Sequence, residues 1–308
     1  MPEASTVRPK LKQGSRIAIV SPASAAKAEL VEQGRAALEA YGYNPIVMPR
    51  ALDRGPLYYA GTAANRVADL HAAFADPTID AILCTRGGWG SAELLPLLDS
   101  ALLRANPKVF IGYSDHTSLH VYLWNLCHLS TFYAPMAAAD WSNPSGVDHR
   151  TWLSALHANS PWSVSAKDGI RLLEQGRAEG RLLGGCLSIL VESLGTPYAL
   201  NLTEPTILFL EDINTKPYQW DRMLNHLRLA GQLDLVRGIV FGDPTANIQP
   251  SVQSEVALLE AACRHALQNF PGPVTIGLQS GHISSHNRSI PLGTWVKMED
   301  DTLSEIQQ

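Results

Sequence analysis

Several absences bound this protein before any motif is read. Cysteine is scarce: the four residues Cys84, Cys127, Cys186 and Cys263 lie far apart, with no C-x-x-C pair and no zinc-ligand spacing. That argues against a disulfide scaffold or a zinc module, and the apolar runs around three of them predict buried free thiols. Long apolar runs are missing too. No stretch approaches the roughly 18 apolar residues that a membrane span needs. The opening "MPEASTVRPKLKQGSRIAIV" has no apolar core ahead of a cleavage site, so no secretory leader is expected. Basic charge is in deficit: 24 Lys and Arg against 29 Asp and Glu give a formal net charge of −5. A nucleic-acid binder would show the opposite balance on one face. Internal repeats and low-complexity tracts do not occur. These absences point to a soluble cytoplasmic protein whose partners are neither nucleic acid nor membrane.

What is present is a 308-residue chain, 45% hydrophobic and 17% charged, a globular composition long enough for two domains. Short apolar runs ("RIAIV", "NPIVMP", "IDAILC", "VFIG") alternate with helical patterns, the first reaching its natural stop at Gly42 and the second at Pro77. Such alternation predicts βαβ units and a parallel sheet covered on both faces. Turn residues dominate from about Asp140 to Gly180 ("DWSNPSGVDHR", "ANSPWSVSAKDG", "LEQGRAEG"), which reads as a crossover holding one short helix near 150–158. A second α/β set follows: helices at "CLSILVESLG", "DRMLNHLRLAG" and "SVQSEVALLEAACRHALQNF", strands at "TILFLED", "VRGIVFGD", "PVTIGL" and "TWVKM". The expected organisation is an N-terminal parallel-sheet, Rossmann-like domain over 1–140, a linker over 141–180 and a smaller C-terminal α/β domain over 181–308.

In parallel sheets, functional residues gather at the C-terminal ends of strands. Two glycine-bearing corners sit there. In "VFIGYSDHTSLH", Ser114 lies between a strand and a helix, where its hydroxyl would be exposed and the Asp115 amide would point from a helix N-terminus toward the same space. The corner either presents a nucleophile or merely caps the helix, and it is not the G-x-S-x-G elbow, because His116 stands at the last position. "TRGGWG" (Thr85–Gly90) is either a structural turn or a loop whose backbone approaches a ligand. Farther along, "LFLED" ends in Glu211 and Asp212, either of which could orient a histidine or simply be a solvated strand end. "GHISSHNRSIPLG" offers His282 and His286, residues suited to a general base near neutral pH. The four-residue spacing of His116/His120 and His282/His286 also admits a metal reading. Neither pair carries the Glu of H-E-x-x-H, and no metal is assigned.

Taken together and in this order, "RGGWG", "GYSD", "FLED…PY..DR" and "GH…N…PLG" resemble the LD-carboxypeptidase family, serine peptidases that trim muropeptides and count microcin C immunity peptidases among their relatives. The resemblance runs from "IVSPAS" to "PLG", nearly the whole chain. It implies Ser114 as nucleophile, Glu211 as acid and His282, which follows Gly281, as base in preference to His286. The amides of Asp115 and Gly88 would form the oxyanion hole. Arg86 and Trp89, the latter where the family usually shows Tyr, would line the substrate site. The nucleophile then belongs to one domain and its partners to the other, so the resemblance implies an active site in the cleft between them. It implies a cytoplasmic homodimer that needs no cofactor and releases D-alanine from murein tetrapeptides during peptidoglycan recycling. An immunity-type peptidase acting on an aminoacyl nucleotide, and a non-catalytic binder of a small ligand, are the alternatives.

Overall fold

The apolar run Arg16–Val20 forms strand β1, and its register with its neighbours builds the first sheet. The computed structural model describes residues 6–247 and 253–306. It divides into two compact units, one of residues 1–160 with 284–293, the other of 161–283 with 294–308. In the first unit, β1 is flanked by β2 (Asn44–Val47) and β3 (Ala81–Cys84), followed by β4 (Val109–Gly112) and β5 (Thr131–Tyr133), all parallel. Strand β12 (Ile290–Leu292) closes the β5 edge in the antiparallel sense. Every residue of β3 and β4 is buried, as a sheet covered on both faces requires. Helices α1 (Ala28–Ala40), α2 (Ala63–Ala75), α3 (Ser100–Ala105), α4 (Thr117–Cys127) and α5 (His149–Trp152) complete this unit.

The second unit carries an eight-stranded mixed sheet in the order β6-β14-β13-β8-β9-β10-β11-β7. Its parallel centre comprises β8 (Arg177–Cys186), β9 (Thr206–Glu211), β10 (Val236–Gly242) and β11 (Val274–Leu278). The outer strands β6 (Ser163–Val164), β7 (Arg171–Glu174), β13 (Trp295–Glu299) and β14 (Thr302–Glu305) run antiparallel to their neighbours. Helices α6 (Leu187–Glu192), α7 (Pro217–Leu229) and α8 (Gln253–Ala266) belong here, and Trp220 of α7 meets Phe241 of β10 edge to face at 5.6 Å. The register places Cys186, Glu211 and Gly242 side by side at the C-terminal ends of β8, β9 and β10. All four cysteines are buried free thiols.

The mixed α/β architecture with a parallel-stranded first sheet agrees with the sequence pattern. The division of the chain differs from the one expected. The turn-rich stretch 141–180 is no linker: its first part, with α5, belongs to the first unit, and its second part supplies β6, β7 and the start of β8. Strand β8 was hidden because "RAEGRLLGGC" is polar at its start and glycine-rich at its end. Those glycines let it press against the backbone of β9, where a Cβ at Gly184 would overlap the Phe209 carbonyl. Residues 284–293 return to the first unit, and their strand β12 escaped detection because three residues carry no periodicity. Two residues of the expected long helix, Ser251 and Val252, lie outside the described residues. Among the described residues no helix is long and apolar enough to cross a membrane.

Two buried histidines fasten the β4 end of the first unit. His120 Nε2 donates to the Gly112 carbonyl at 2.9 Å, and its Nδ1 lies 2.8 Å from Thr131 Oγ1, which joins α4 to β4 and β5. His116, at the start of α4, is fully buried. Burial lowers the pKa of His116 to about 4 and that of His120 to about 3. An unfolded histidine titrates near 6.5, so the unfolded chain binds more protons than the fold between that value and the depressed ones. Stability therefore drops as pH falls through this window. Urea titrations between pH 7 and 4 are expected to show a stability loss that is shallower for His120→Leu than for the wild type, by up to about 1.4 kcal/mol per pH unit. Identical slopes would show that His120 is charged in the folded protein.

Candidate active site

In the first unit, the chain leaves β4 through an extended Tyr113 and turns at Ser114, whose φ of 66° is left-handed. A non-glycine residue there stores of order 1–3 kcal/mol of backbone strain. The surroundings hold the corner: the Ser114 amide donates to Tyr133 Oη at 3.0 Å, from the neighbouring strand β5. A one-turn 3₁₀ segment, Ser114–His116, then leads into α4. His116, the residue that precedes α4, makes no side-chain cap to it. The Asp115 carboxylate accepts from the Ser91 amide at 2.8 Å, while burial pushes its pKa up.

The glycine loop after β3 lies against this corner. A Cβ on Gly87 would stand 2.8 Å from Ser114 Cβ and 3.0 Å from its Oγ, so only glycine allows the approach. The loop is gripped at several points. His116 Nε2 donates to the Arg86 carbonyl at 2.9 Å, and the Trp89 amide donates to Ser24 Oγ at 3.1 Å. Arg66 donates through Nη1 to the Gly90 carbonyl at 2.8 Å and to the Pro22 carbonyl at 2.7 Å, and through Nη2 to Glu93 at 2.6 Å. Arg86 and Gly88 are exposed and Trp89 is half-buried, so the loop presents one face to solvent and the other to Ser114. Arg66 was missed from sequence: a lone arginine in an amphipathic helix reads as solvated, and only its 3% exposure marks it as a buried clamp.

In the second unit, Glu211 ends β9 with 3% exposure. Its Oε2 accepts from His282 Nδ1 at 2.8 Å and from the His282 amide at 3.2 Å. A carboxylate only accepts, so the proton sits on Nδ1 and the lone pair of the neutral ring lies on Nε2. The approach depends on Gly281, whose φ is 91° and whose Cβ, were there one, would stand 2.5 Å from Glu211 Oε2. The adjacent acid is different in kind. Asp212 accepts from the Ser188 amide at 2.7 Å in the first turn of α6 and from its neighbour Ile213 at 2.8 Å, with its pKa raised by burial. His286 is exposed, at a φ of 51°, and its amide donates to the Ser145 carbonyl within the first unit. Of the two candidate histidines, the structure pairs His282 with Glu211.

Each unit thus holds a group of residues with defined chemistry: a strained serine beside a glycine loop in the first, and a histidine oriented by a buried carboxylate in the second. His116 and His120 commit their ring nitrogens to Arg86, Ser91, Gly112 and Thr131.

Comparison with known proteins shows the family. Residues 17–134 match the LD-carboxypeptidase N-terminal domain and residues 179–298 the LD-carboxypeptidase C-terminal domain. A Bacillus subtilis protein named a probable murein peptide carboxypeptidase is 33% identical over 298 residues, covering 94% of this chain and 91% of the relative. The murein tetrapeptide carboxypeptidase of Pseudomonas aeruginosa is 29% identical over 295 residues, covering 94% of each. The crystal structure of an MccF-like protein from Bacillus anthracis str. Ames shares the fold, with a TM-score of 0.88 at 24% identity over 98% of this chain and 100% of that one. With both domain matches in chain order and relatives aligned along nearly its whole length, this chain belongs to the LD-carboxypeptidase family of peptidases.

Proposed function

We propose that the protein is a serine carboxypeptidase that hydrolyses the bond between the L-centre of a diamino acid and a terminal D-alanine in murein tetrapeptides. The chemistry rests on the Glu211–His282 pair, a 2.8 Å hydrogen bond that leaves Nε2 as the base. The substrate class rests on family membership and on relatives named for murein peptides. In this reading Ser114 Oγ attacks the carbonyl carbon next to D-alanine while His282 Nε2 takes its proton. Glu211 keeps the imidazole in the required tautomer and stabilises its charged form. The amides of Asp115 and Gly88 carry the negative charge that develops on the carbonyl oxygen. His282 then returns the proton to the departing amine, and water releases the tripeptide from Ser114 by the reverse sequence. Arg86 faces the terminal carboxylate and Trp89 lines the site. No cofactor enters this scheme, and recycling of cell-wall peptides in the cytoplasm is the setting it fits. The reading requires Ser114 Oγ to come within hydrogen-bond reach of His282 Nε2 when substrate is held.

Mass spectrometry of the enzyme with L-Ala-γ-D-Glu-meso-diaminopimelyl-D-Ala, beside the same peptide ending in L-alanine, is expected to show release of alanine from the first only. Ser114→Ala is expected to fold normally and to lose at least about 10³-fold in turnover. An untouched tetrapeptide, or a Ser114→Ala enzyme near wild-type rate, would refute the reading.

Gly281→Ala tests the Glu211–His282 pair. Its methyl group would push Glu211 off the imidazole, so kcat is expected to drop about 10²-fold, the cost of misplacing a catalytic group by roughly 1 Å. Steady-state kinetics that leave kcat within a factor of about two would show that the pair's geometry is not used in catalysis.

A further inference from the structure

His116, one of the histidines whose spacing first suggested a metal, stands two residues from Ser114 with its ring fully buried. The Arg86 carbonyl can only accept, so Nε2 carries the proton of the 2.9 Å hydrogen bond between them. Nδ1 is then an acceptor, satisfied by Ser91 Oγ at 3.0 Å. The neighbouring Asp115 carboxylate takes the Ser91 amide at 2.8 Å. The two residues that follow Ser114 therefore hold both ends of the glycine loop, Arg86 at its start and Ser91 at its end. Between these anchors the loop passes close enough that a Gly87 methyl would collide with Ser114. Sterics set how near the loop can come, and the anchors stop it from drifting away.

We propose that His116 is a positioning residue for the oxyanion hole: its Nε2–H···O=C bond to Arg86 fixes the Gly88-bearing loop against the corner that carries Ser114 and the Asp115 amide. This inference rests on the reading of Ser114 as nucleophile and Gly88 as oxyanion donor. It assigns to the side chain at 116 a task distinct from attack, proton transfer or substrate contact. The imidazole that holds the Arg86 carbonyl is itself packed tightly on Gly112, where a Cβ would stand 2.9 Å from His116 Cδ2.

Side chains of graded reach separate this role from packing. Glutamine at 116 can place an N–H near the position of Nε2 and so serve Arg86, whereas asparagine reaches only as far as Nδ1 and serves Ser91. Kinetics of His116→Leu, His116→Asn and His116→Gln on the murein tetrapeptide, with Ser114→Ala alongside, test the proposal. Leucine and asparagine are expected to lower kcat by about 10- to 100-fold with KM nearly unchanged, as the loss of transition-state contact requires. Glutamine is expected to recover most of the loss. Labelling of Ser114 by a serine-directed phosphonate should slow in parallel with kcat across the series. If leucine prevents folding, the asparagine–glutamine comparison alone decides. Equal impairment of asparagine and glutamine, tracking their thermal stability, would overturn the proposal in favour of packing, as would a leucine enzyme of wild-type kcat. Full turnover by Ser114→Ala would instead remove the underlying reading of the site.

Discussion

A carboxylate withdrawn from water at the end of a parallel strand is the constraint on which the second unit's chemistry depends. Glu211 is almost fully buried, and an ionised carboxyl in that position needs donors close at hand. His282 supplies them from both its ring and its backbone amide. For those donors to reach, the chain must come in contact with the carboxylate, and glycine at 281 is the residue that permits it. On the other flank, Gly242 at the end of β10 leaves space that a methyl group would take from Glu211 Cβ. The buried Glu211 side chain thus accounts for two glycines, a left-handed turn and the orientation of an imidazole.

The first unit meets a related need at uncharged backbone carbonyls. The loops leaving β1 and β3 expose backbone carbonyls that the sheet does not pair, and long side chains from elsewhere meet them. Arg66 reaches from α2 to Pro22 and Gly90 and His116 to Arg86, while His120 adds a second donor to the Gly112 carbonyl at the end of β4, which also accepts from the Ala134 amide. A buried histidine suits this work because it donates through one nitrogen and accepts through the other without carrying charge. Burial holds both imidazoles in that neutral state.

Legibility from sequence followed the strength of local pattern. The strands "RIAIV", "AILC", "VFIG" and "TILFLE" are continuous apolar runs, and each appears where the pattern places it. Strand β8 mixes charge, glycine and apolar residues, because its start is half exposed and its end needs backbone contact, so no period marks it. The serine corner was visible as a strand meeting glycine ahead of a helix. The choices between Glu211 and Asp212, and between His282 and His286, could not be made locally: each pair shares composition, and only long-range hydrogen bonds separate a histidine's partner from a helix-capping carboxylate. Arg66 and His116 as clamps were illegible for the same reason, since their partners are carbonyls, which sequence does not distinguish.

The return of residues 284–293 to the first unit has a consequence for biogenesis. Strand β5 exposes its outer edge until β12, encoded some 160 residues later, emerges from the ribosome and pairs with it. At ordinary elongation rates that is an interval of about 10–30 seconds. During it, the nascent chain presents an unpaired strand edge, the kind of surface that recruits other strands. The first unit cannot be completed in the order in which it is translated, so its closure waits on the synthesis of nearly all of the second.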